Sequence, residues 1–298
     1  MPKCLNLTAS AGGCFRSAFS CSGLRSTITD LGDGTTIHCW VPKSPKPTKP
    51  NVVLIHGFGA DAVWQWFEAV RILTPHFNVY VPDLVFFGKS HTTRPDRSEA
   101  FQAQCLKRVM EAKSVEKMRL VGMSYGGFVA YSMALQFEDC VEKVVIICSP
   151  VCLEEKDIRD GMFPVNNVDD AASILLPQTP EAFRKLLRYT FVKPPKPLPS
   201  CLINDFLQEM CLDFVEEKRD LLRAIPLDKR LADLPKIPQP TLILWGDKDQ
   251  VFPVELARRL KRHLGENAEL IILEGTGHAC AFEKSKQLGK HLKKFLLG

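Results

Sequence analysis

The chain has 298 residues, 45% apolar and 24% charged, and a formal net charge of +5, which suits one large globular domain or a core domain carrying an insertion. Lysines and arginines are interleaved with acids, as in Glu216-Glu217-Lys218-Arg219-Asp220, so no basic stripe marks a nucleic-acid surface. No apolar run reaches the length of a membrane span.

The first 29 residues contain no acid and carry Lys3, Arg16, Arg25 and several serines and cysteines. A signal-type apolar core is missing, so residues 1–26 read as an N-terminal arm or short helix, packed through Leu5, Phe15, Phe19 and Leu24. The competing readings are a plastid transit peptide, or membrane association through acylated Cys4, Cys14 or Cys21. Asn6-Leu7-Thr8 matches a glycosylation sequon, a triplet common by chance. The eleven cysteines are odd in number and scattered without CxxC pairs, and no histidine pair stands at zinc-ligand spacing. They read as small core residues in a reducing compartment, the cytoplasm, with no metal implied.

Thr27–Thr29 and Thr36–Val41, joined by a turn ending in Gly34, predict a β-hairpin. A proline-lysine loop follows, then the apolar strand Asn51–Ile55, which ends in His56-Gly57-Phe58-Gly59. Trp64–Leu73 has helical spacing, with Trp66, Phe67, Val70 and Leu73 on one face. Asn78–Val81 is a strand before Pro82-Asp83, and Ser98 caps a helix running to about Ala112. Met118–Met123 and Lys143–Cys148 are strands on either side of a glycine-rich turn and a buried helix. Thr241–Trp245 and Glu269–Leu273 are further strands, and Val254–Leu264 and Glu283–Leu297 are helical.

Apolar strands alternating with amphipathic helices argue a mostly parallel, eight-stranded α/β sheet covered on both faces. Residues 151–235 break that rhythm, with helical pieces at Glu181–Tyr189 and Ile203–Leu222, a proline hinge, and no strand. They predict a helical lid inserted after the sixth strand, so that residues 27–150 and 236–298 form the core.

Chemistry gathers at strand ends. In an open parallel sheet, sites form beyond the carboxyl ends of the strands. Ser124 follows one strand, fenced by Gly122, Gly126 and Gly127; His56-Gly57 follows another; Asp247 and Asp249 follow a third; Gly277-His278 follows the last. A serine hydroxyl needs a base to become a nucleophile, and the base needs a carboxylate to fix its tautomer. Ser124, His278 and Asp249 meet that need, with the N–H groups of Phe58 and Tyr125 as an oxyanion hole. Asp249 is preferred to Asp247 because the acid must reach the base from a loop beyond the strand end, while Asp247 supports the turn. Glu274 is a weaker candidate. Asp83 reads as a turn or salt-bridge residue, His56 as a structural residue of the oxyanion loop, and His76 and His91 as loop residues.

Gly122-Met123-Ser124-Tyr125-Gly126 is the nucleophile-elbow pattern, and the order Ser, Asp, His is that of the α/β-hydrolase fold. With the His56-Gly57-Phe58-Gly59 loop, Pro82-Asp83-Leu84, Trp245-Gly246 and Gly277-His278, the chain resembles that family from about Thr27 to its C-terminus. It looks most similar to the lidded branch of meta-cleavage-product hydrolases, monoacylglycerol lipases and small esterases, and several segments resemble plant members. One departure is Val85-Phe86-Phe87, where the family has a small Pro/Gly turn. Phe86 and Phe87 are therefore expected in an apolar substrate pocket, whereas Trp64 and Trp66 are expected to be buried against the sheet.

The resemblance and the residues together imply a serine hydrolase. It would cleave a carboxylic ester, or an activated C–C bond, of a small hydrophobic substrate, with no cofactor and no nucleic acid. Two alternatives remain open: a small-molecule receptor on the same fold that recruits a protein partner, or a lyase, thioesterase or acyltransferase using the same three residues.

Overall fold

Buried apolar runs make the centre of the sheet. Val52–Ile55, Val144–Ile147 and Leu242–Trp245 are fully shielded from solvent, which is the continuous pattern expected of parallel strands covered on both faces rather than an alternating one. The computed structural model describes residues 7–59, 61–159, 165, 167–196, 198–226 and 229–298. Lys3, Cys4, Leu5 and Asn6, which figure in the reading of the N-terminus, lie outside the described residues.

Helix α1 (Leu7–Cys21) leads into the hairpin β1 (Leu24–Asp30) and β2 (Thr35–Pro42). Then come β3 (Asn51–Ile55), α2 (Ala62–Leu73), β4 (Asn78–Pro82), the short β5 (His91–Thr92) and α3 (Glu99–Ala112). The centre is β6 (Met118–Met123), α4 (Tyr125–Gln136) and β7 (Val141–Ile147). After an excursion with five α-helices among the described residues, the sheet resumes with β8 (Thr241–Gly246), followed by α10 (Glu255–Leu264) and β9 (Ala268–Leu273). The chain closes on α11 (Cys280–Glu283) and α12 (Ser285–Leu297).

The strand order is β1-β2-β4-β3-β6-β7-β8-β9, with β5 pairing beside β2. The hairpin joins β4 antiparallel, and the strands from β4 through β9 are parallel neighbours. Helices α2 and α12 pack together over one face, while α3 and α4 pack together over the other. The eight expected strands are present. The two-residue β5 makes a ninth, so the excursion follows the seventh strand in chain order rather than the sixth.

The excursion comprises α5 (Glu155–Arg159), α6 (Val168–Leu175), α7 (Pro180–Thr190), α8 (Ser200–Met210) and α9 (Val215–Ala224). The single helix expected over Ile203–Leu222 is two. Phe214, just before α9, takes a left-handed conformation at φ 54°, which a continuing helix cannot hold. At the N-terminus, α1 packs Phe19 fully inside and stacks Phe15 on Phe67, their rings 4.5 Å apart.

Candidate active site

The turn after β6 is built by close approach. A Cβ on Gly122 would come within 2.2 Å of the Gly126 carbonyl oxygen, and one on Gly126 within 2.2 Å of the Ile55 carbonyl oxygen. The glycines therefore let α4 start directly against β6 and β3. The unusual backbone belongs to Ser124 itself, at φ 53° and ψ −123°, a conformation that costs of order 1–3 kcal/mol. The Ser124 N–H donates to the Ile147 carbonyl at 2.8 Å and its own carbonyl accepts from Gly127 at 2.9 Å, which holds the serine at the turn's apex.

Ser124, His278 and Asp249, which lie 154 and 29 residues apart along the chain, form one hydrogen-bonded line. His278 Nε2 lies 3.1 Å from Ser124 Oγ, and His278 Nδ1 lies 2.8 Å from Asp249 Oδ2. The other carboxylate oxygen of Asp249 accepts N–H donors from Val251 and Phe252, both at 2.8 Å. Asp249 is thus pinned as an acceptor, which leaves His278 Nδ1 to carry the proton and Nε2 to receive one from the serine. Gly246 permits the meeting, since a Cβ there would lie 2.3 Å from the Thr276 carbonyl oxygen. Asp247 accepts from Thr276 N–H at 3.1 Å and so braces the turn before His278. Glu274 is exposed and takes no part in the line.

The loop after β3 comes against the serine. A Cβ on Gly57 would be 2.8 Å from Ser124 Cβ and 3.3 Å from Oγ, so only a glycine lets this backbone so near. Phe58 follows it, its ring 5.1 Å from that of Tyr125. Tyr125 opens α4, where a backbone N–H has no acceptor within the helix. His56 is fully buried and accepts from Leu84 N–H through Nε2 at 3.0 Å, so its Nδ1–H donates to the Gly57 carbonyl at 2.8 Å. Burial holds its pKa below the usual histidine value. That suits a structural tie rather than a proton carrier. Asp83 is likewise structural, bonded to His38 Nδ1 at 2.7 Å and accepting from Ala62 N–H at 3.1 Å. His76 closes the turn after α2, and His91 lies in β5.

Ser124 and His278 open onto a cavity of about 210 Å³, walled by Phe58, Trp64, Phe183, Phe206, Phe282 and leucines of α6 and α7. Here the expected pocket residues need correction. Phe86 and Phe87 are both buried and do not line this cavity. Phe86 has a positive φ of 75° that turns its ring to the Arg97 guanidinium, 4.7 Å away, and to Phe214. Phe87 packs on the rings of His56 and Phe58 from behind the loop, with the Lys218 ammonium 5.0 Å from its centroid. Trp64, expected against the sheet, is instead a wall residue held between Phe15 and Phe206; Trp66 is fully buried as expected.

Sequence reading also missed Glu283. Its carboxylate accepts from Gly277 N–H at 2.7 Å and from Val192 and Lys193 N–H at 2.9 and 3.3 Å, tying the His278 turn to the end of α7. Its place five residues after His278 was the available signal. Cys148, Asp249 and His278 offer ligand-type atoms within 4.8 Å of one another. Asp249 and His278 are already bonded to each other, and burial pushes the Cys148 thiol well above its usual pKa, so the trio is poorly suited to a cation.

A family model described as the alpha/beta hydrolase fold matches residues 50–285. Monoacylglycerol lipase ABHD6 of Mus musculus is 27% identical over 266 residues, covering 83% of this chain and 76% of that protein. Among solved structures, a membrane phospholipase A described as a bacterial virulence factor is 29% identical, with a TM-score of 0.75 over 97% of this chain and 90% of its own. A 2-hydroxy-6-oxo-6-phenylhexa-2,4-dienoate hydrolase of Rhodococcus sp. strain RHA1, 21% identical, has a TM-score of 0.73 over 92% of this chain and 100% of its own and shows the shared fold. No helix among the described residues is long and apolar enough to cross a membrane.

Proposed function

The chain belongs to the α/β-hydrolase fold family and is a hydrolase, and on that footing we propose that it cleaves carboxylic esters of neutral, hydrophobic substrates through Ser124, His278 and Asp249. The line of hydrogen bonds from Asp249 through His278 to Ser124, at the floor of an aromatic cavity, carries this reading. Ser124 Oγ attacks the ester carbonyl while His278 Nε2 takes its proton, and Asp249 steadies the imidazolium. The N–H groups of Phe58 and Tyr125 hold the developing oxyanion. His278 then protonates the departing alkoxide, and a water activated by the same imidazole frees the acid.

No lysine or arginine is among the described residues lining the cavity. A substrate carboxylate, such as that of a dienoate, would be buried there without a counter-charge, at a cost of several kcal/mol. That favours an ester over the C–C bond of an acidic dienone. The relatives named as lipases support the same choice. In this reading residues 151–235 act as the lid that shapes the cavity, since α6, α7 and α8 supply Leu175, Phe183, Leu186 and Phe206 to its wall. We also place the protein in the cytoplasm, because the ten described cysteines are all free; a fluorescent fusion following a plastid or membrane marker would refute that.

The test is a time course with p-nitrophenyl esters from acetate to octanoate. Native protein should turn over many times, and Ser124→Ala should lower kcat at least about 10⁴-fold. A single burst without turnover would overturn the enzyme reading and favour a receptor.

A further inference from the structure

Beyond Phe252, whose ring meets that of His278, lies a second chamber of about 80 Å³. Fourteen described residues line it, and of these only Tyr189 and Gln250 bear polar side chains. Two features tie it to the reaction centre. Leu175 lines both this chamber and the cavity over Ser124. Val251 and Phe252 line it too, and these are the residues whose N–H groups hold Asp249, with the Phe252 ring edge-on to His278 at 5.4 Å.

The direction of the proton transfer constrains where the leaving alcohol lies. When the tetrahedral intermediate collapses, the bond between the carbonyl carbon and the alcohol oxygen breaks. The acyl group stays on Ser124, and the alcohol oxygen takes the proton held on His278 Nε2. The leaving alcohol must therefore lie on the imidazole side of the serine. The acyl part then lies toward Phe58 and Trp64, beside the oxyanion donors.

We propose that the chamber beyond Leu175 and Phe252 receives the alkyl part of the leaving alcohol, which makes the preferred substrates esters of apolar aliphatic alcohols rather than of glycerol. This rests on the ester-hydrolase reading above. The proposal requires the half-buried Leu175, the residue shared by both linings, to swing aside, and side-chain rotamer changes of this kind are fast. A glycerol moiety would bring hydroxyls into a wall with almost nothing to bond them, and each buried, unpaired hydroxyl weakens binding roughly tenfold or more. Each buried methylene, by contrast, strengthens binding roughly fourfold.

The experiment holds the acyl group constant as butanoate and varies the alcohol: methyl, ethyl, butyl, hexyl and 1-glyceryl. Native protein should show kcat/KM rising roughly fourfold per methylene from methyl to butyl, with the glyceryl ester below the butyl ester. Two variants should move selectivity in opposite directions. Ala171→Phe, which fills the chamber from α6, should lower the hexyl-to-methyl ratio of kcat/KM at least tenfold; Leu175→Ala, which widens the passage, should raise it. A flat or falling series with methyl ester still turned over, a glyceryl ester better than butyl, or variants that leave the ratio unchanged would each overturn the alcohol assignment alone. No turnover of any ester, methyl included, would overturn the hydrolase reading and this one with it.

Discussion

At the scale of single residues, Asp249 offers a sharp test because both of its oxygens have assigned partners. In Asp249→Asn the amide oxygen would stay on the Val251 and Phe252 N–H groups, turning the amide N–H₂ toward His278 Nδ1. That nitrogen would have to give up its proton to accept the bond, leaving the proton on Nε2, where it blocks transfer from Ser124. The expected result is a fall in kcat of about 10³–10⁴-fold with KM little changed. Asp247→Asn and Glu274→Gln, measured alongside by the same ester assay, should stay within about tenfold of the native protein, since one braces a turn and the other is exposed. Equal losses in all three would assign the acid wrongly. That Asp249 rather than Asp247 would meet His278 was legible in the sequence from its distance past β8. The failure at Phe86 and Phe87 lies at this scale too. Their closeness in sequence to the loop after β3 says nothing of ring direction: Phe86, at a positive φ, packs against Phe214, and Phe87 packs behind Phe58.

At the scale of elements, glycines in two different helices have opposite roles. Gly126 lies where backbone meets backbone, 2.2 Å from the Ile55 carbonyl for any added Cβ. Backbone on both sides leaves no flexible side chain to yield, so Gly126→Ala should destabilise the fold by at least about 3 kcal/mol, or prevent it. Gly13 lies inside α1 with nothing within 4 Å of an added Cβ. Gly13→Ala should therefore stabilise by about 0.5–1 kcal/mol through helix propensity alone. Urea midpoints of the two variants check the pair; a Gly126→Ala protein as stable as the native one would contradict the packing of the turn. The motif at Ser124 was readable because strand, glycines and helix follow one another without a gap. The break between α8 and α9 was not, because Cys211-Leu212-Asp213-Phe214 contains no glycine or proline to announce it.

At the scale of the whole molecule, the excursion of five helices is fastened to the sheet domain by charged side chains over aromatic rings and by the His278 turn. Lys229 pairs with Glu99 at 2.5 Å, the Thr190 carbonyl accepts from Ala279 N–H at 2.8 Å, and Lys218 of α9 lies over Phe87. Lys218 is 3% exposed with no carboxylate bonded to it among the described residues, and burial lowers its pKa below the usual 10.5. Its charged form is therefore disfavoured in the folded state. The cost is fully present where both states are protonated and is relieved as pH rises through the folded-state pKa toward the unfolded value of 10.5. Lys218→Met should raise Tm at pH 7 by about 2–4 °C, and its advantage over the native protein should shrink as pH approaches 10. A lower Tm for the variant at pH 7 would mean that the contact with Phe87 outweighs desolvation.

The α/β class, seven of the nine strands within about two residues of their ends, and the three residues of the hydrogen-bonded line were all determined by the sequence itself. Each of these is a local matter: apolar runs, helical spacing, and motifs that end strands whose order in a parallel sheet brings their carboxyl ends together. What only the tertiary structure decided was non-local. The aromatic wall draws Phe58 and Trp64 from the β3 loop and α2, Phe183 and Phe206 from α7 and α8, and Phe282 from α11. The second chamber joins α6 and α9 to the loop after Asp249. Side-chain direction at such meetings is set by packing between segments far apart in the chain, and no local pattern in either segment carries it.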